Sequence, residues 1–144
     1  MAKSTTKTKK KPVSAPKKVE WHLIDASVDP LGRTATHAAE LLLGKHRTDY
    51  AAHQIAPVRV VVLNTDKVKV TGKKYDQKMY RRYTGYPGGL RERNMADQMG
   101  RDSRVIFQMA VFGMLPKNSL RAHRMKNLLV YPTQEHPHEA QITS

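Results

Sequence analysis

The chain runs to 144 residues, room for one domain with its own core but not for two, and sets 26 Lys plus Arg against 12 Asp plus Glu for a formal charge of +14 and a pI near 10.2. That charge selects a polyanionic partner, nucleic acid first and an anionic membrane surface second. A membrane-spanning helix is excluded because the strongest apolar run, Val58 to Leu63, is short and broken by Arg59, and the absence of cysteine excludes disulfides and thiolate metal sites and fits a reducing interior.

Residues 1–18 hold seven lysines, two prolines and no acid. With so little apolar surface to offset ordering entropy, they are expected to form a disordered basic arm ahead of a domain over residues 19–144. The arm carries half the net charge, so the domain keeps +7 from 19 basic and 12 acidic side chains and is basic in its own right. It lacks the apolar centre of a secretory signal and the arginines usual in an organelle transit peptide. Its expected work is electrostatic, releasing counterions from a phosphate backbone without reading sequence.

Order is expected from Val19, where Trp21, Leu23 and Ile24 make a short apolar strand ending at Asp25. Asp29 and Pro30 suit a helix start, Asp as a cap for free N–H groups and Pro in the first turn. Ala35, Ala38, Ala39, Leu42 and Leu43 then recur at helical spacing until Gly44 closes the run. Val58 to Leu63 is β-branched and nearly all apolar, the signature of a strand covered on both sheet faces, usually by helices, so the fold class is α/β. Lys67 to Thr71 alternates polar and apolar, which suits either a half-exposed strand or a helical turn begun by Asp66. Further on, Asn94 to Gly100 suggests a short helix. Asp102 or Ser103 can cap another, carrying Val105, Ile106, Met109, Ala110 and Phe112 until Gly113 and Pro116 stop it. Met114 and Leu115 form an apolar corner, Lys117 to Arg124 reads as a basic helix, Leu128 to Tyr131 as a strand, and the tail after Pro132 as irregular chain.

Between these elements, Tyr80 to Arg93 (YRRYTGYPGGLRER) packs four arginines, three tyrosines, three glycines and a proline into fourteen residues with one acid, Glu92. Few apolar positions remain for a core. Arginine supplies a fork that matches phosphate oxygens, tyrosine a face for an unpaired base, and glycine room for backbone N–H groups to approach. The segment reads as a surface loop for a polyanion, against the plainer alternative of a solvated loop that happens to be basic.

Other constellations are weaker. Gly44-Lys45-His46-Arg47 follows the first helix, where free carbonyls favour cations with or without RNA. Gly72-Lys73-Lys74 lacks the upstream glycine of a phosphate loop, since that position is Lys67. His136 and His138 are not spaced for one helix face and no third strong ligand lies near, so no metal site is expected. There is no Gly-x-Ser-x-Gly elbow and no paired carboxylate pattern. Met95, Met99, Met109 and Met114 suit core filling. Arg121 and Arg124 share a helix face that can track a phosphate backbone or simply meet solvent.

Read in order, a series of motifs emerges: Trp21 with Asp25-Ala26, Leu31-Gly32-Arg33, Gly44-Lys45-His46, Asp66-Lys67-Val68, Thr71-Gly72-Lys73-Lys74 and Thr84-Gly85-Tyr86-Pro87-Gly88-Gly89. Gly113-Met114-Leu115-Pro116-Lys117-Asn118, Val130-Tyr131 and His136-Pro137-His138 continue it. Over about residues 19 to 141 the chain resembles the bacterial-type large-subunit ribosomal protein L-thirteen family. The resemblance implies a single three-layer α/β domain with a small mixed, mainly parallel sheet flanked by helices. It also implies a structural role in the large (50S) subunit and in its early assembly, with no catalysis, no cofactor, no membrane and no small-molecule substrate. The implied partners are large-subunit ribosomal RNA and neighbouring large-subunit proteins, in a cytoplasmic ribosome rather than an organelle one, and some family members are linked to messenger-level regulation. Carried over by motif, the RNA-contacting set is Arg33, Lys45, His46, Lys73, Arg81, Arg82, Tyr83, Thr84, Gly85, Tyr86, Gly88, Gly89, Lys117, Arg121 and Arg124. Two positions depart from the family pattern: Ala51-Ala52-His53 replaces Thr-Pro-His, which should loosen that loop, and Tyr83 replaces His, which enlarges the stacking surface. Two other function classes stand beside this one, an RNA-processing enzyme using Asp25, Asp66 and His53, and a free regulator that binds one messenger or coats DNA.

Overall fold

A computed structural model describes residues 18–142, so the lysine-rich arm lies outside the described residues except for Lys18. In chain order the elements are β1 (Glu20–Asp25), α1 (Leu31–Leu43), β2 (Val58–Leu63), a 3-10 turn (Thr65–Lys67), α2 (Lys74–Gln77), β3 (Met79–Tyr83) and β4 (Leu90–Asn94). They continue with α3 (Met95–Arg101), α4 (Ser103–Met114), α5 (Leu120–Lys126), β5 (Leu128–Val130) and α6 (Glu139–Ile142).

The fold is α/β, as expected, and built on a three-stranded sheet of order β1-β2-β5. All its pairings are parallel, with Glu20 opposite Val58 and Val60 opposite Leu128. The antiparallel component is a separate ribbon, β3–β4, rather than a strand of the main sheet. Both parallel connections step in one direction across the sheet, and right-handed crossovers then lay α1 and α4 side by side on one face. There Val58, Val60 and Val62 meet Ala35, Ala38, Ala39 and Leu42 of α1 and Ile106, Phe107 and Val111 of α4 in one core. Burying each valine contributes about 1.5–3 kcal/mol, and the alanines let α1 approach closely.

Val61 and Leu63 point to the opposite face and are buried too. The expectation of helices on both faces holds only in part, because this side is covered by the chain after β5. The one-turn helix α6 packs on β1, and His138 lies with its ring 5.1 Å from that of Trp21. The tail is therefore a third layer and not merely irregular chain.

Several local expectations change. Asp29 does not cap α1; Pro30 holds the cap position without a side-chain bond, and the Leu31 N–H donates to the Lys69 carbonyl at 2.9 Å. Of the two readings of 67–71, the helical turn is taken earlier, at Thr65–Lys67 behind a left-handed Asn64. Val68 then extends, and Lys69 bridges to Pro30. Asp102 caps α4 by accepting from the Arg104 N–H, and Gly44 closes α1 in the left-handed conformation, both as expected. On α4 the buried side is Ser103, Ile106, Phe107 and Val111, whereas Met109 and Phe112 are 48% and 43% exposed. Of the four methionines only Met95 and Met99 fill the core; Met109 and Met114 do not. Helix α4 also passes through Gly113, and α5 begins at Leu120 rather than Lys117.

Arg124 is the largest correction. Expected on an RNA-facing helix face, it is only 1% exposed, and its guanidinium donates to the carbonyls of Ala52 and Gln54 at 3.2 and 3.3 Å. It thereby holds the very loop that lacks the family's proline. Arg124→Met keeps the stem but orphans two carbonyls, so unfolding in urea should lose about 2–4 kcal/mol. A loss below about 1 kcal/mol would show that this contact does not secure the loop.

Candidate nucleic-acid interface

The Tyr80–Arg93 segment is not an irregular loop. Met79–Tyr83 and Leu90–Asn94 pair as an antiparallel ribbon, with Tyr80 opposite Arg93, Arg81 opposite Glu92, Arg82 opposite Arg91 and Tyr83 opposite Leu90. Opposed residues share a face, so the ribbon has two unlike sides. One presents Tyr80, Arg82, Arg91 and Arg93. The other presents Met79, Tyr83 and Leu90 around an Arg81 Nε–Glu92 Oε1 pair at 2.5 Å. On the first side Arg82 and Arg91 face one another with no acid in the register, an arrangement that is unfavourable until an anion lies between them. Strand pairing thus adds Arg91 and Arg93 to the carried-over set.

The tip closes internally. The Gly89 N–H donates to the Tyr86 carbonyl at 2.9 Å, Pro87 sits second and Gly88 third with φ 70°, the geometry of a type II turn. The Thr84 N–H donates to the Gly89 carbonyl, and a Cβ on Gly89 would stand 2.0 Å from Thr84 Oγ1. Gly89 therefore serves the turn and not close approach of a ligand. Gly85, with φ 91°, and Gly88 have open space in front of them. Tyr83 and Tyr86 are 62% and 76% exposed, both available for stacking.

The remaining positions lie on other elements. Arg33 is exposed in the first turn of α1, while Lys45 and His46 follow its last turn, about 18 Å away along a 1.5 Å rise. Lys73 is exposed ahead of α2, and Lys117 is exposed after α4. Arg121 lies flat over Phe112, its guanidinium 3.8 Å from the ring centre. His46 is exposed as well, its Nε2 3.3 Å from Glu20 Oε2.

Glu20, His22 and His46 are a group among the described residues that could hold a metal ion, their potential ligand atoms within 4.8 Å of one another. Arg47, itself paired with Asp49 at 2.8 Å, already places its guanidinium on the same Glu20 carboxylate. Glu20 thus joins Arg47 and His46 in one polar network. Burial, and then the neighbouring His46, push the His22 imidazole below its ordinary value of 6.5, against the pull of Glu20. Of the acids considered for catalysis, Asp25 accepts from Ser27 and Asn64, and Asp66 accepts from Ser103 Oγ at 2.5 Å. The Ser27 bonds hold the Asp25 carboxyl below the usual carboxylate range. Both acids are occupied in holding loops, and His53 stands on the separate loop that Arg124 anchors.

A family model described as Ribosomal protein L13 matches residues 19–137, which take in the sheet, the ribbon and the Glu20 network. The chain belongs to the ribosomal protein L13 family. It is 48% identical over 128 residues to the large ribosomal subunit protein uL13 of Thermus thermophilus, covering 88% of this chain and 91% of that one. It is also 47% identical over 124 residues to the uL13 of Alcanivorax borkumensis, covering 86% and 87%. These relatives are ribosomal structural proteins and not enzymes, in accord with the structural duties of Asp25 and Asp66.

Two measurements test this geometry. His22 favours the neutral form in the fold, so its contribution is complete above pH 6.5 and is lost as pH falls below that value, where the unfolded chain binds the extra proton. His22→Gln should flatten the acid limb of a melting-temperature profile; an unchanged limb would remove His22 from it. Gly89→Ala should expose the Thr84 amide to hydrogen exchange while the core amides stay protected, and full protection at Thr84 would contradict the turn assignment.

Proposed function

We propose that the chain is a structural constituent of the large ribosomal subunit that binds ribosomal RNA, through the arginine side of the β3–β4 ribbon, and supports early subunit assembly. The observation that carries this is the acid-free register of Arg82 and Arg91 beside Arg93 on an exposed strand pair, a set of forks suited to phosphate whose like charges are unfavourable without a counter-charge. Family membership, the names of the relatives and a body that is basic without its arm support the same reading. Exposed Tyr83, on the other side of the ribbon, and Tyr86, at its tip, offer further faces to unpaired bases. Neighbouring large-subunit proteins complete the set of partners, and the ribosome is the place of action.

The test is competition for particles. The Arg82→Ala, Arg91→Ala double variant, co-expressed with the unaltered chain, should be depleted from large subunits by about tenfold or more on sucrose gradients at moderate and high salt. Its isolated stability should stay level or rise by a few tenths of a kcal/mol, because a like-charge pair has been removed. Equal incorporation of the two chains would reject the ribbon as the RNA anchor.

A further inference from the structure

Two hollows open side by side between the first turn of α1, the chain from Lys69 to Lys74 and the last turns of α4, sharing Pro30, Gly32, Thr71, Lys74 and Met114 as a common wall. The inner one has a volume of ≈ 400 Å³, a size typical of sites for small organic groups, and Leu31, Val70, Met95, Met109 and Met114 make its lining largely apolar. Met109 and Met114 are 48% and 42% exposed here, contiguous apolar surface on an otherwise basic body. The charged lining of the inner hollow is Lys69, Lys74 and Lys78, with no acid among its lining residues, while Arg33 and Glu40 stand on the outer hollow.

Two glycines explain why the space is open. Gly32 in α1 and Gly113 in α4 both line the inner hollow, neither has positive φ, and a Cβ on either would meet no atom within 4 Å. Glycine is disfavoured against alanine inside a helix, and here neither backbone conformation nor packing asks for it. What it leaves is room. Lys78 is followed directly by β3, so the chain leads from the cationic rim straight into the ribbon.

We infer that this hollow receives one unpaired nucleotide of the bound RNA, its base against the methionine wall that Gly32 and Gly113 keep open and its phosphates on Lys69, Lys74 and Lys78. The inference rests on the RNA-binding reading above and assigns it a subsite. A base offers a flat face that binds apolar, polarisable surface with little sequence preference, and lysine meets phosphate as a point charge. The uniformly cationic rim of the inner hollow and its connection through the chain to the ribbon favour a nucleotide over a protein segment.

The test places a diazirine analogue of methionine at position 114 of the full chain, and in a second preparation a diazirine residue at position 91. Assembled large subunits are irradiated, and adducts are mapped by reverse-transcription stops and by mass spectrometry. Position 114 should give one discrete stop at an unpaired nucleotide, reduced about tenfold by Gly113→Leu, which fills the hollow. The melting temperature of Gly113→Leu should be unchanged or raised, and Gly32→Leu should reproduce the reduction from the opposite wall. A protein adduct without an RNA stop, no adduct, or a stop indifferent to both fillings overturns the inference. If position 91 still reaches RNA, the ribbon reading survives that failure; if neither position does, both fall.

Discussion

The parallel pairing of β2 with β1 on one side and β5 on the other is the constraint from which the rest of the molecule follows. A parallel sheet needs both faces covered and each strand reached by a crossover. The first crossover supplies α1, which covers one face of Val58, Val60 and Val62. The second runs from Leu63 to Leu128 and contains α4, which lies beside α1 on that face, together with the ribbon. The ribbon is thus an excursion within a connection, owing the core little beyond the half-buried Tyr80. Its side chains are otherwise left to the solvent side, where Arg82 and Arg91 face one another.

Cations are sorted by what surrounds them. Arg124 is drawn inside and anchors the Ala52–Gln54 loop, Arg47 is taken up by Glu20 and Asp49, and Arg81 by Glu92. Arg121 is laid over Phe112, covering an exposed ring on α4. Exposed pairs such as Arg81–Glu92 contribute little to stability, so their effect is to fix which side of the ribbon stays charged. Arg82, Arg91 and Arg93 then present one sign of charge on one side, next to the lysines around the α1–α4 hollow. Net charge gives the sign of the surface; this sorting says where that charge is left exposed.

Much of the main fold was legible because its signals are local. The β-branched run Val58–Leu63, the alanine and leucine spacing of α1, and the caps at Gly44 and Asp102 each act within a few residues of themselves. The ribbon was not legible as strands, since both of its sides are exposed and no apolar alternation marks it; register became visible only once Arg81 met Glu92. The face of α4 was misread for a related reason. Gly113 and Met114 continue the helix past the core, and Phe112 and Met109 turn to the surface, where an arginine and a cleft receive them.

By itself the sequence determined the α/β class, the basic character of the body and the motif series that marks its family, because these depend on composition and short-range spacing. Only the tertiary structure decided which arginines stay exposed and unpaired by acids and which hold the chain together. Arg121 and Arg124 lie three apart on one helix, yet one rests on Phe112 and the other is buried against carbonyls from some seventy residues earlier in the chain. Burial and partners are long-range quantities, set by how the crossovers pack and not by the residues adjacent in the chain.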